Sequence, residues 1–182
     1  MVGTKLEELK LEISHYIGIP YFSNVGKHKN NGENVLVGKG TAKEISLKTI
    51  EYANLENIKL NSLTALQIYQ FQKKHHLGVD CSGLACNLLN FYQNADLNVR
   101  KTSADMLTSN PLSKIIDVNR ATTGDLVRQK NGHHVLFVIE KIGNTIHYVD
   151  SSILGKGVKY GNFDITDQLA INQGVYRIKT LT

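Results

Sequence analysis

The run Leu84-Ala-Cys-Asn-Leu-Leu-Asn-Phe-Tyr92, apolar and free of helix breakers, constrains this chain more than any other stretch. Its apolar density suits a helix covered by protein on most sides, so the rest of the fold has to be built around it. The run is entered through Gly78-Val79-Asp80-Cys81-Ser82-Gly83, which places Cys81 at the helix N-terminus. Upstream, Leu6, Leu9, Ile13 and Tyr16 recur at spacings of three and four and predict an amphipathic helix over 5–16, ended by Gly18 and Pro20. Residues 21–40 are rich in Gly, Asn and Lys and read as loop, with a short strand expected at Val35–Val37. Thr41-Ala-Lys-Glu44 has the form of a capping box and opens a helix through Tyr52, and a second helix is expected from Ser62 to about Lys74.

A short helix is expected over 103–107, and then the periodicity changes. Residues 125–129, 134–141, 145–150 and 174–181 are short runs rich in Val, Ile, Leu, Phe and Tyr, which predict a meandering antiparallel sheet. Helices first and strands after make the expected class α+β, in one domain over 1–182. A chain of 182 residues with 41% hydrophobic side chains is long enough for one ordinary core, and no linker or repeat divides it.

The formal charge of +5 favours an anionic partner. Nucleic acid is not expected, because the basic residues are scattered and no aromatic-and-basic pattern accompanies them. No apolar stretch approaches the ~18 residues of a membrane span. Met1–Glu12 alternates charge with Leu and lacks the apolar core of a Sec signal, so the expectation is delivery by another route or a leader absent from this sequence. Cys81 and Cys86 are too close along one helix to form a comfortable disulfide. The seven histidines include no HExxH and accompany no paired CxxC, so no metal is expected.

A thiol becomes a useful nucleophile when its thiolate is stabilised, and a helix N-terminus does this through exposed N–H groups and the macrodipole. Cys81 has that position and Cys86, inside the helix, does not. His134 opens the apolar run Val135-Leu-Phe-Val-Ile139 and is the candidate base, while His133 beside it points to the other face.

These residues carry a resemblance. Gly78-Val-Asp-Cys-Ser-Gly-Leu84 is similar to the catalytic motif of the NlpC/P60 cysteine peptidases, which belong to the papain-like superfamily. Ile17-Gly-Ile-Pro-Tyr21, Thr102-Ser-Ala-Asp105, Gly124-Asp-Leu-Val127 and Gly132-His-His-Val135 resemble further family segments, in the family's order. The resemblance spans most of the chain apart from a helical insertion at about 22–77. It implies a papain-like fold with the nucleophile helix packed on an antiparallel sheet, and Cys81 and His134 as nucleophile and base.

The family completes its site with a polar residue on the next strand, usually His, which orients the imidazole. Here Asp150 and His147 compete. The family hairpin commonly spans about twelve residues from base to third residue. Lengthening each arm by two residues keeps every side chain on its face and arrives at Asp150, which is the preferred choice. By the resemblance, Tyr21 reaches the site and helps the Cys81 N–H hold an oxyanion. Asp80 and Ser82 are read as groups that cap or position the helix start, with Ser82 also a candidate for the substrate cleft.

The activity implied is hydrolysis of an amide bond in peptidoglycan stem peptides, of the D-glutamyl-diaminopimelate or lysine type, through a thioester and without a cofactor. The basic surface suits the anionic bacterial cell wall. Two other classes stay open: a papain-like amidase, deamidase or acyltransferase acting on a protein or lipid outside the wall, such as a delivered toxin, and an inactive binding domain. The insertion is expected to narrow or cover the cleft as a lid, or to bind a partner.

Overall fold

A computed structural model describes residues 4–23 and 33–179. The first helix, α1 (Lys5–Ser14), starts where Thr4 and Glu7 exchange the two hydrogen bonds of a capping box, and buries Leu9 and Ile13. It ends two residues before Tyr16, which is nonetheless 1% exposed and packs in the same core. The same reciprocal cap opens α2 (Ala42–Leu55), from Thr41 and Glu44, and α3 (Ala65–Lys74), from Thr64 and Gln67. The third helix therefore begins at its Thr cap rather than at Ser62, which belongs to a preceding 3-10 turn. Of the loop expected over 21–40, positions 24–32 lie outside the described residues.

The breaker-free run becomes α4 (Cys81–Gln93), with Cys81, Leu84, Ala85, Cys86, Leu88 and Leu89 all buried. Asn94 ends it in the left-handed conformation. A short α5 (Ala104–Leu107) is capped by Ser103. Six antiparallel strands follow among the described residues: β1 (Ser113–Ile116), β2 (Leu126–Gln129), β3 (His134–Ile142), β4 (Thr145–Ser152), β5 (Gly157–Asp164) and β6 (Val175–Ile178). Together with a short α6 (Gln168–Ile171) they complete a mixed α+β architecture.

The sheet order is β1-β6-β2-β3-β4-β5, so only β2 to β5 form a meander. The last strand returns between β1 and β2 instead of extending the sheet. Side-chain alternation divides the sheet between two cores. Val135, Phe137, Ile139 and Val149 pack with α1, α2 and α4, whereas Leu136, Val138, Ile146 and Phe163 pack on the other face. Burial on both faces explains why β3 reads as a continuous apolar run.

Three expectations are corrected. Residues Asn34–Val37 form a 3-10 turn rather than a strand, closed by Gly38 in the left-handed region, and the nearby pairing is a single bridge between Lys39 and Val79. Residues 113–116 and 157–164 are strands that the apolar pattern missed, because β1 is four residues long and β5 is a polar edge with Lys159, Tyr160, Asn162 and Asp164 in solvent or at its border. The run expected at 174–181 is a strand only over Val175–Ile178, and its last two positions lie outside the described residues. No helix among the described residues is long and apolar enough to cross a membrane.

Candidate active site

The N-terminus of α4 is fixed by its own sequence and by segments that pack against the residues leading into it. Asp80 is the N-cap and accepts from Gly83 N at 2.6 Å, which satisfies one of the free N–H groups of the first turn. Segment 18–21 runs between β5 and the residues before the helix. Gly18 N donates to Val158 O, Val158 N to Ile19 O, and Val79 N to Pro20 O. A Cβ at Gly78 or Gly157 would run into the backbone of that segment, so both positions require glycine for close approach. From the sheet side, Ser151 Oγ donates to Val79 O at 2.6 Å.

Cys81 is 7% exposed, with its Sγ 3.9 Å from the His133 carbonyl oxygen. His134 is buried at the start of β3, and its Nε2 lies 3.1 Å from Asp150 Oδ2 on β4, both side chains being nearly sealed from solvent. Nδ1 is thereby the ring nitrogen left to face the thiol. Burial pulls the His134 pKa down, but hydrogen bonding to Asp150 and to Cys81 outweighs it and lifts the value from 6.5 to about 9. The ring accordingly holds its second proton through the neutral range. Sγ sits between that imidazolium and the positive end of α4.

Strand register decides which residue meets His134. The hairpin turns at Gly143-Asn144 with Ile142 opposite Thr145, and that register puts His147 across from Glu140. Continued without interruption, it would bring odd-numbered positions of β4 to the face of His134. A bulge between Val138 and Glu140 absorbs one residue, after which Val138 pairs with Tyr148 and Phe137 with Val149. Beyond it even-numbered residues share a face, and Asp150 rather than His147 reaches the ring. The two-residue lengthening of each arm assumed above omits this bulge and lands on the same side chain. His147 is half-buried on the opposite face, and His133 is exposed.

Tyr21 is half-buried, and its phenol pKa is raised by burial first and then by the nearby charges of Cys81 and Asp80, against a hydrogen bond with Ser23. The phenol therefore keeps its proton through the neutral range. Ser82 is 6% exposed, its hydroxyl engaged by Asp80 Oδ1 at 3.1 Å and by Lys39. Its place is in the floor of the helix start.

Two further segments singled out in the sequence are held by side-chain contacts. Gly132 has φ +83°, and a Cβ there would meet the side chains of Arg128 and Asp105, which form an ion pair against the loop. Arg128 also donates to Thr108 O at 3.1 Å and Thr108 Oγ1 at 2.8 Å. In Gly124-Asp-Leu-Val127, Asp125 is fully buried and grips Arg177 of β6 through two hydrogen bonds of 2.8 Å. Cys86 is buried within α4, and burial pushes its thiol up to about 12.

Sequence reasoning passed over Lys39. Its ammonium lies 2.9 Å from Asp80 Oδ1 and is mostly enclosed. The available signal was its setting between Gly38 and Gly40, since paired glycines mark a backbone that something approaches closely. Among the described residues no group of three or more His, Cys, Asp or Glu side chains is placed to hold a metal ion.

The arrangement is a thiol, an imidazole and a carboxylate in series, with the thiol at a helix N-terminus. Comparison with protein-family models, with curated proteins and with solved structures finds no match to this chain.

Proposed function

We propose that the protein is a papain-like cysteine hydrolase of the NlpC/P60 type that cleaves an amide bond in peptidoglycan stem peptides. The observation that carries the reading is the contact of His134 Nε2 with Asp150 Oδ2 at 3.1 Å, beside a thiol at the N-terminus of a buried helix. The motif resemblance supplies the family and the substrate class, and the formal charge of +5 suits an anionic polymer.

In this reading Sγ adds to the scissile carbonyl carbon as a thiolate, and the carbonyl oxygen becomes an oxyanion facing the Cys81 N–H and the Tyr21 hydroxyl. The C–N bond then breaks, and the leaving amine takes the proton held on His134. Water attacks the resulting thioester, giving one proton to His134, and collapse breaks the C–S bond to release the carboxylic acid and restore the Cys81 thiolate beside protonated His134. Asp150 holds the ring so that Nδ1 stays turned to the sulfur. Every step uses groups of this chain and water.

The test is release of new amino termini from purified muropeptides. Wild type is expected to release them and Cys81→Ala to release none while remaining folded by circular dichroism. Leu47, Leu55 and Leu66 stand exposed on the α2 and α3 segment, which favours a second reading, an amidase or acyltransferase acting on an apolar protein or lipid target. Inactivity of wild type on every muropeptide, with a thiol that still reacts selectively, would shift the assignment to that class.

A further inference from the structure

The insertion contributes to the nucleophile itself through a strap at Gly38–Gly40. Asp80 N donates to Gly38 O at 2.9 Å, and Lys39 forms the isolated bridge with Val79. Asn87, on the second turn of α4, donates to Gly40 O at 3.0 Å. A Cβ at Gly83 would strike Gly38 O, so the strap lies directly against the first turn of the helix. These contacts aim the Lys39 side chain at the helix start, where Nζ donates to Asp80 Oδ1 and to Ser82 Oγ. Only about an eighth of either charged side chain is open to solvent, the figures being 12% for Lys39 and 11% for Asp80.

That enclosure matters because Asp80 is adjacent to the nucleophile. A carboxylate beside a thiol opposes negative charge on the sulfur, and in a poorly solvated setting little screening relieves it. Asp80 is needed as the N-cap all the same, since Gly83 N has its acceptor there. Among the described residues the charged and titratable groups about Cys81 are Asp80, Lys39, Tyr21, Cys86, and His134 with Asp150 behind it. Of the two cations, His134 faces the sulfur directly. Lys39 faces the carboxylate.

We propose that Lys39 is a positioning residue of the site, whose enclosed ammonium cancels the Asp80 carboxylate so that Asp80 caps the helix without repelling the Cys81 thiolate. The inference rests on Cys81 being the nucleophile but not on any substrate. Its test reads the sulfur alone, by following the rate of alkylation with iodoacetamide from pH 4 to 10. The reagent forms an S–C bond and releases iodide, so the rate follows the thiolate fraction.

Lys39→Met is expected to raise the midpoint of that profile by about one pH unit, which is about tenfold slower alkylation below the midpoint. Lys39→Arg restores the wild-type midpoint. Asp80→Asn keeps a capping side chain but leaves Lys39 uncancelled, and lowers the midpoint; the double variant Asp80→Asn/Lys39→Met returns close to wild type. A wild-type midpoint in folded Lys39→Met overturns the proposal, because a purely structural strap would change stability and leave the titration alone. Should Lys39→Met not fold, Asp80→Asn decides, and an unchanged midpoint there overturns it equally. Failure of the wall-hydrolase reading is separately visible, as a reactive thiol that releases nothing from muropeptides.

Discussion

Replacing Asp150 with Asn removes the charge from the carboxylate and leaves its shape, which isolates what the buried anion does for His134. In the wild-type protein the ring is lifted from 6.5 to about 9 although burial, the largest influence on it, acts downward. The rise of about 2.5 units corresponds to roughly 3 kcal/mol in favour of the protonated ring at 1.36 kcal/mol per unit. In the Asp150→Asn variant the opposing burial is left with only the thiol to balance it, and the His134 pKa is expected to fall below about 7. The measurement is a ring 15N titration by NMR, with the His134 resonance assigned by its loss in His134→Gln. Because the folded pKa lies above the unfolded one, the stabilisation is fully present below pH 6.5 and is lost as the pH rises through 9. The stability gap between wild type and Asp150→Asn is therefore widest near pH 6 and narrows toward pH 10. His147→Ala is the control and should move neither quantity. A His134 pKa that stays near 9 in Asp150→Asn would refute the reasoning, since the proton would then be held by something other than this carboxylate.

Three further outcomes are expected. Iodoacetamide at pH 7 should add one adduct, mapped by peptide mass spectrometry to Cys81, because burial holds the Cys86 thiol up at about 12; a second adduct on native protein would contradict that burial. Arg177→Met leaves the carboxylate of fully buried Asp125 without its bidentate partner and should cost about 3 kcal/mol or more in urea unfolding, with a loss under 1 kcal/mol counting against the pair. Gly83→Ala forces the first turn of α4 away from Gly38 O and should destabilise by about 1–3 kcal/mol, whereas Gly143→Ala, with open space around it but φ +57°, tests backbone strain without packing.

The helices were legible because their signals are local. Thr41 with Glu44 and Asp80 ahead of Cys81 cap the helices that their spacing announces, and the cap at Thr64 refines a third. The strands were legible where apolar residues cluster, most plainly in β3 with both faces buried; β5 carries its polar face to the sheet edge and offers no apolar run. The order of the strands is a property of long-range pairing and has no local signal in Val175–Ile178. At the site, Cys81 and His134 could be named from their positions. The meeting of His134 with Asp150 depends on a bulge at residues 138–140 that no residue type there announces, and Lys39 depends on a strap from a loop more than forty residues upstream of Cys81.

The place of β6 between β1 and β2 has a kinetic consequence. Among the described residues β1 pairs with β6 alone, so from the moment Ser113–Ile116 emerges from a ribosome it waits for Val175–Ile178 to follow. The hairpins of β2 to β5, and with them the pairing that joins His134 to Asp150, need no such wait. The topology thus separates pairings that are local in sequence, those of β2 to β5, from one closure of long sequence separation in which a short strand joins the two sides of the sheet. Pairing across such a separation is slow to form, which makes β6 the strand on which closure of the sheet waits.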